Sequence, residues 1–153
     1  MHNCKNIYAI GDCVSGPLLA HKAEYDALLV AENILSDNKK KKNYENIPVV
    51  VSEGPTVASV GTFSDLIKVR MDFRNIGAAY TDESTNGFLE LYIDTKKVIR
   101  GGLVVNKNAQ EVIAALLPII NSRLSLEQVI NMIWVHPTPA EIIKEAVKKA
   151  LAL

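Results

Sequence analysis

The pattern of apolar and polar positions divides the chain into a short leading segment and a longer second one. Residues 6–11 form a short apolar, partly β-branched run that ends at a glycine, which predicts a buried strand. From residue 18 to about residue 35, apolar side chains recur every three or four positions, which predicts a helix. We expect Pro17 at the first helical position, where its missing N–H costs nothing. The apolar residues that form one face of this predicted helix are Leu19, Ala23, Ala27, Val30 and Ile34.

From residue 47 onward the pattern becomes strand-like. Runs rich in β-branched and aromatic residues occur at 49–51, 57–60, 68–73, 88–93 and 98–105. Turn residues such as Gly54-Pro55 separate these runs, as an antiparallel sheet requires. Helical patterns follow at about 109–121, 126–133 and 139–151. Strands that are segregated from a later group of helices predict an α+β domain.

A run of four lysines, residues 39–42, separates the two segments. Four like charges without apolar partners favour a solvated connection. We therefore divide the chain into residues 1–36, a linker at 37–46 and a domain at 47–153. A nuclear-import or nucleic-acid patch is the alternative interpretation of the lysines, and the zero net charge of the chain disfavours it.

One strand and one helix cannot complete a sheet by themselves. A parallel-type strand is buried only when it has neighbours on both sides. We therefore expect residues 1–36 to be the last piece of a larger α/β domain, and the chain to be a C-terminal fragment. Without the remaining strands, the segment 8–36 is expected to be mobile or to pack against a neighbouring copy.

Composition excludes several classes of function. The 153 residues contain 17 Lys and Arg and 17 Asp and Glu, so no global field attracts nucleic acid or an anionic membrane. No apolar run approaches the roughly 20 residues that span a bilayer, and the N-terminus has no signal-peptide core. We expect a cytoplasmic protein, or a mitochondrial matrix protein whose targeting segment is missing.

The cysteines and histidines give little sign of metal or redox chemistry in this chain. Cys4 and Cys13 stand nine residues apart, a spacing that matches neither a disulfide framework nor a zinc site. Reduced thiols without a chemical role are the favoured interpretation, and a redox pair is the alternative. His21 has no second His or Cys at ligand spacing, so we predict no metal site.

Two places in the leading segment suit ligand binding. Asp12 follows the predicted strand at the edge where open α/β sheets bind ligands, and Gly11 permits a close approach to the backbone. Asp12 can accept hydrogen bonds from hydroxyl groups; the alternative interpretation is that it ends a strand and caps a turn. The helix start, residues 16–21, offers N–H groups and partial positive charge to an anion or to a ring that becomes anionic on reduction.

The start of the last helix is the third candidate place. Thr138 and Glu141 have the spacing of a capping box, with Pro139 at the first helical position, which explains Glu141 structurally. Helical side chains lean toward the N-terminus, so Glu141 also leans toward His136. An imidazole oriented by a carboxylate can act as a general base near neutral pH, which is worth about 10² to 10⁴ in rate. Both interpretations of Glu141 remain open.

Four ordered motifs together resemble one family. They are NIYAIGD at 6–12, GPLLAHKA at 16–23, IP at 47–48 with PTVASVG at 55–61, and HPT at 136–138 with Glu141. This order resembles the C-terminal third of the pyridine nucleotide-disulphide oxidoreductases. The LAHKA sequence at 19–23 is similar to the dihydrolipoamide dehydrogenase branch, since glutathione reductases carry a Leu-Thr-Pro type sequence there.

The resemblance implies a role for each matched position. Asp12, with Gly11 beside it, would bind the ribityl chain of FAD. Backbone groups at the isoalloxazine edge would come from Leu18, Leu19, Ala20 and His21. Residues from about 47 onward would form the interface domain of a homodimer. His136, held by Glu141, would act as the acid/base on a dithiol in the partner subunit's active site.

The parent enzyme implied by this resemblance uses FAD, NAD and a redox-active disulfide. It would oxidise dihydrolipoamide on the lipoyl-bearing subunits of 2-oxo acid dehydrogenase complexes. The chain lacks the family's Cys-x4-Cys and GxGxxG motifs, so we expect it to be inactive alone and to bind neither cofactor tightly. The alternatives are the C-terminal domain of a glutathione- or trypanothione-type reductase and a non-catalytic dimerisation module.

Three places depart from the family pattern. Thr62-Phe63 replaces the usual Thr-Glu, and the arginine-bearing stretch after the third strand has the sequence RNIGAA at 74–79. Trp134 stands where many lipoamide dehydrogenases have a second histidine. These departures affect the assignment to the dihydrolipoamide dehydrogenase branch more than the assignment to the family.

Overall fold

The computed structural model of the chain describes residues 7–37 and 39–153. The fold divides into two compact units between Ile47 and Pro48. Cys4 and the first residue of the predicted leading strand lie outside the described residues. Each unit is described separately below.

The first unit contains the predicted helix. Helix α1 spans Ala20–Leu35, which confirms the periodicity of the sequence. Pro17 lies ahead of the helix, so the prediction that it occupies the first helical position is wrong. Leu19 is the N-cap residue and has extended dihedral angles, φ −141° and ψ 136°. A single 3₁₀ turn, Gly11–Cys13, precedes the helix.

The predicted leading strand is not formed over the residues that the structure describes. Residues 7–10 belong to no regular element, and Ile7 and Ile10 are 58% and 39% exposed. A strand satisfies its backbone only by pairing with another strand, and the described part of this unit contains none. The buried residues of α1 are Lys22 and Asp26, which do not belong to its apolar face.

The second unit is built on a five-stranded antiparallel sheet, which confirms the α+β prediction. Its strands are β1 Val49–Val51, β2 Val57–Gly61, β3 Ile67–Asp72, β4 Phe88–Ile93 and β5 Ile99–Val105. They lie in the order β1-β2-β5-β4-β3. The helices of the unit are α2 Ala78–Thr81, α3 Ala109–Asn121, α4 Leu126–Ile130 and α5 Glu141–Leu151.

One hydrophobic core joins this sheet to its helices. Helix α3 packs on β2 and β5, and α5 packs on β3 and β4. Alternate residues of β4, Leu89, Leu91 and Ile93, are at most 3% exposed, as the period of two in a strand requires. In α5 the buried residues recur at helical spacing and comprise Ile142, Ile143, Ala146, Val147 and Ala150. This packing fixes where α5 begins, and therefore where the preceding loop reaches the surface.

Gly87, immediately before β4, occupies a position that other residues cannot adopt without strain. Its φ is +108°, and an added Cβ would lie 1.8 Å from the carbonyl oxygen of Val105. Gly77 offers a contrast, because its φ is −60° and an added Cβ would meet no atom within 4 Å.

We expect Gly87→Ala to lower the free energy of unfolding by about 2–3 kcal/mol or more, because backbone strain and a steric clash act together. Gly77→Ala is the matched control and is expected to change it by less than about 0.5 kcal/mol. Urea unfolding followed by circular dichroism measures both. Equal effects of the two substitutions on the free energy of unfolding would contradict the steric and backbone constraint assigned to Gly87.

Candidate functional site

The loop between α4 and α5 carries His136 to the protein surface. The predicted helix at 126–133 ends earlier, at Ile130, which leaves residues 131–140 to form this loop. The side chain of His136 is 72% exposed. The Thr138 hydroxyl donates a hydrogen bond to the carbonyl oxygen of Val135 at 2.9 Å, and this bond closes the turn that contains His136.

Glu141 holds both the imidazole and the backbone of the loop. The Nδ1 atom of His136 lies 2.9 Å from one carboxylate oxygen of Glu141 and 3.1 Å from the other. The backbone N–H of Thr138 donates to the same carboxylate at 2.9 Å. One half of the predicted capping box is therefore present, while the Thr138 hydroxyl is engaged elsewhere. Pro139 lies ahead of the start of α5, so its predicted place in the first helical position is wrong.

The two interpretations of Glu141 that the sequence left open are compatible in this geometry. The carboxylate uses its several acceptor sites to orient an imidazole and to satisfy a backbone N–H at the helix start. An ionised carboxylate only accepts hydrogen bonds, so the hydrogen bond assigns a proton to Nδ1 of His136. Nε2 is then the ring nitrogen that can exchange a proton with another molecule.

The environment of Glu141 favours its ionised form. Partial burial acts to raise the pKa of this carboxyl group. The hydrogen bonds from Thr138 and His136, together with the electrostatic interactions with His136 and Lys144, outweigh burial and place the pKa of Glu141 below its ordinary value. Glu141 is therefore negatively charged near neutral pH, as an acceptor for imidazolium should be.

The structure places the predicted cofactor-binding residues in two neighbouring pieces of the first unit. Gly11, with φ +68°, is buried and begins the 3₁₀ turn, whereas Asp12 in the same turn is exposed. The remaining four line the start of α1: Leu18, which is 69% exposed, Leu19 at the N-cap, and Ala20 and His21 in the first turn.

The chemistry of these two pieces fits the edge of a flavin. An exposed carboxylate suits the hydroxyl groups of a sugar-alcohol chain. The side chain of Leu19 has no hydrogen-bond acceptor and does not cap the first turn of α1. The partial positive charge at this helix start is suited to an electron-rich ring.

Sequence reasoning missed a buried polar cluster in the same unit, formed by Lys22, Asp26 and Tyr44. The side chain of Lys22 is fully buried and lies 3.0 Å from the Asp26 carboxylate, and the Tyr44 hydroxyl donates to Asp26 at 2.5 Å. The available signal was a Lys and an Asp four residues apart, which is the spacing of a helical ion pair. Tyr44 gives no such signal, because it is distant in sequence.

Neither a metal site nor a membrane helix emerges from the described residues. The side chain of Cys13 is exposed, and its Sγ donates to the Ile10 carbonyl oxygen at 3.0 Å. Across residues 7–37 and 39–153, no three His, Cys, Asp or Glu side chains gather at metal-binding distance. Within the same ranges, each helix is too short or too polar to cross a bilayer.

Comparison with known proteins identifies the family of the second unit. Residues 47–147 match the dimerisation domain of pyridine nucleotide-disulphide oxidoreductases. The dihydrolipoyl dehydrogenase of Geobacillus stearothermophilus is 38% identical over 155 residues, which cover 95% of this chain and 33% of that protein. That of Bacillus subtilis (strain 168) is 34% identical over 160 residues, covering 97% of this chain and 33% of that protein. The chain spans about a third of the length of these relatives.

Solved structures show the same fold at lower sequence identity. LpdA from Mycobacterium tuberculosis superposes with a TM-score of 0.84 and 22% identity, covering 94% of this chain and 33% of that chain. The Cu(II) complex of the HOCl-induced flavoprotein disulfide reductase RclA from Escherichia coli gives a TM-score of 0.88 and 21% identity, covering 96% of this chain and 36% of that chain.

We expect Glu141→Gln to destabilise the chain by about 1 kcal/mol near neutral pH, because a charged acceptor is lost from the helix start. The lowered pKa of Glu141 means that its contribution is present above the ordinary value of 4.5 and is lost as the pH falls through the folded value. The difference in the free energy of unfolding between Glu141→Gln and the unsubstituted chain should therefore become smaller at acidic pH. Urea unfolding at several pH values measures it.

Glu145→Gln on the same helix is the matched control. Glu145 pairs with Lys148 at 2.6 Å on the helix surface, so this substitution should cost less than about 0.5 kcal/mol. A stability difference for Glu141→Gln that does not vary with pH would contradict the role assigned to the carboxylate.

Proposed function

The chain belongs to the pyridine nucleotide-disulphide oxidoreductase family, and we propose that it is the part of a dihydrolipoyl dehydrogenase that contains the dimerisation domain. The observation that carries this proposal is an exposed imidazole held through Nδ1 by the Glu141 carboxylate, within a domain whose curated relatives are dihydrolipoyl dehydrogenases. The parent enzyme would oxidise dihydrolipoamide with NAD. His136 would serve the active site of the partner subunit in a homodimer.

In this proposal His136 moves the proton of the substrate dithiol. A thiol with a pKa of roughly 8.5 must lose its proton before the sulfur attacks a disulfide. Nε2 of His136 accepts that proton, and the Glu141 carboxylate stabilises the imidazolium that forms. The attacked disulfide would be supplied by a part of the parent outside this chain.

Residues of the first unit would hold one edge of FAD. Asp12 would accept hydrogen bonds from the ribityl hydroxyls, and the backbone from Leu18 to His21 would face the isoalloxazine ring. The exposed Asp12 carboxylate and the helix start at Leu19 support this assignment. Bound FAD would supply two-electron chemistry between the disulfide and NAD.

The proposal also includes the cellular location of the parent enzyme and its protein partners. The bacterial relatives support the cytoplasm as the location, with the mitochondrial matrix as the alternative in a eukaryote. Lipoyl-bearing subunits of 2-oxo acid dehydrogenase complexes would present the dithiol to the parent enzyme.

We expect the chain alone to show no turnover with lipoamide and NADH, because the redox cysteines and the nucleotide-binding fingerprint are absent from its sequence. A spectrophotometric assay of NADH oxidation measures this directly. Turnover above the rate without protein would contradict the proposal that the activity needs the rest of a parent enzyme.

A chimera tests the role of His136 in an active enzyme. This chain replaces the matching third of the Geobacillus stearothermophilus dihydrolipoyl dehydrogenase, and we expect the product to reduce NAD with dihydrolipoamide. In this chimera His136→Gln should lower kcat by about 10² to 10⁴ at unchanged FAD content, because the general base is lost.

Glu145→Gln in the same helix serves as the control for this experiment and should leave kcat within about twofold. Full activity of the His136→Gln chimera would instead favour the non-catalytic interpretation, in which Glu141 only stabilises the helix start. A preference of the chimera for glutathione disulfide over lipoamide would contradict the proposed substrate class.

A further inference from the structure

Two side chains of helix α1 form hydrogen bonds with both backbone polar groups of Gly11. The Lys22 ammonium donates a hydrogen bond to the Gly11 carbonyl oxygen at 2.7 Å. The Gly11 N–H donates to the Asp26 carboxylate at 3.1 Å. Lys22 and Asp26 also pair with each other at 3.0 Å across one turn of the helix. Three interactions therefore fix the orientation of one residue in the turn before α1.

Tyr44 completes the cluster from a distant part of the same unit. Its hydroxyl donates to the second carboxylate oxygen of Asp26 at 2.5 Å, and its ring centroid lies 5.4 Å from the Lys22 ammonium. Burial and the neighbouring Asp26 carboxylate raise the pKa of Tyr44 to about 12, so the phenol keeps its proton and remains a donor. The hydrogen bonds from Tyr44, Lys22 and Gly11 outweigh the effect of burial on Asp26 and lower its pKa.

Burying an ion pair to pack a helix has a high cost in desolvation free energy. Removing two charges from water costs several kcal/mol for each ion, and apolar residues of similar volume often stabilise a fold equally well. Lys22 and Asp26 are nevertheless the buried residues of α1, while Ala27 and Ile34 on the apolar stripe remain exposed. What the pair supplies that apolar packing cannot is directional hydrogen bonding to both sides of Gly11.

The residue that follows Gly11 is Asp12, whose exposed carboxylate is the proposed ligand of the ribityl chain. Gly11 has φ +68° and begins the 3₁₀ turn that contains Asp12, so the orientation of the Gly11 backbone affects where the Asp12 side chain points. We propose that Lys22 and Asp26 are positioning residues that lock the Gly11 backbone and thereby aim the Asp12 carboxylate at the sugar-alcohol chain of FAD. This inference rests on the proposed function.

A double-mutant cycle in the chimera separates positioning from general structural support. The combined substitution Lys22→Met with Asp26→Leu removes both charges together with the acceptor of the Gly11 N–H, which avoids leaving one buried charge unpaired. Asp12→Ala removes the proposed ligand. FAD affinity of the apo-chimera is measured from the change in flavin fluorescence, in all four combinations.

We expect the combined substitution to weaken FAD binding by about tenfold when Asp12 is present and by less than about twofold when Asp12 is already Ala. Glu32→Gln on the exposed surface of α1 is the control, because it removes a carboxylate that pairs only with Lys40 at the surface in the structure and leaves both hydrogen bonds to Gly11 intact, and it should change the affinity by less than about twofold. Equal losses in the two Asp12 backgrounds, or no loss in either, would overturn the inference.

The chain alone provides a measurement that needs no FAD. In the combined variant, NMR should show faster hydrogen exchange at the Gly11 amide, while amides in the second half of α1 keep their exchange rates. An unchanged Gly11 amide overturns the inference even if the proposed function holds. An unsubstituted chimera that binds no FAD overturns both proposals, whereas an active chimera without coupling to Asp12 overturns only this one.

Discussion

The Glu141 carboxylate is the acceptor on which the candidate active site depends. It binds the Nδ1 atom of His136 and the backbone N–H of Thr138 at the same time, so the imidazole is oriented by the same group that satisfies the start of α5. The same carboxylate therefore links the imidazole of His136 to the start of α5. The hydrogen bonds that the partly buried carboxylate receives lower its pKa and keep it ionised.

The position of that carboxylate is set by hydrophobic packing in the second unit. Ile142 and Ile143 follow Glu141 directly and are completely buried in the core. Their burial fixes the rotation of α5 about its axis, and this rotation places Glu141 toward the loop that contains His136. The apolar residues therefore act on the site indirectly, through the register of a helix that they hold against β3 and β4.

The first unit follows a different physical rule, because a polar cluster rather than an apolar face holds it together. Lys22, Asp26 and Tyr44 satisfy one another and the Gly11 backbone, and a network of this kind is stable only when each member has its partners. On the apolar face of α1, Ala27 and Ile34 are exposed, whereas Leu19, Ala23 and Val30 are half-buried.

Sequence alone determined those features whose signal is local and periodic. The five strands, the helices α1, α3 and α5, and the pairing of His136 with Glu141 follow from spacings of two to five residues, which backbone geometry converts directly into contacts. The tertiary structure decided the rest. Residues 7–10 form no strand because strand pairing depends on neighbours, and Tyr44 reaches Asp26 from eighteen positions away, a distance that no local pattern encodes.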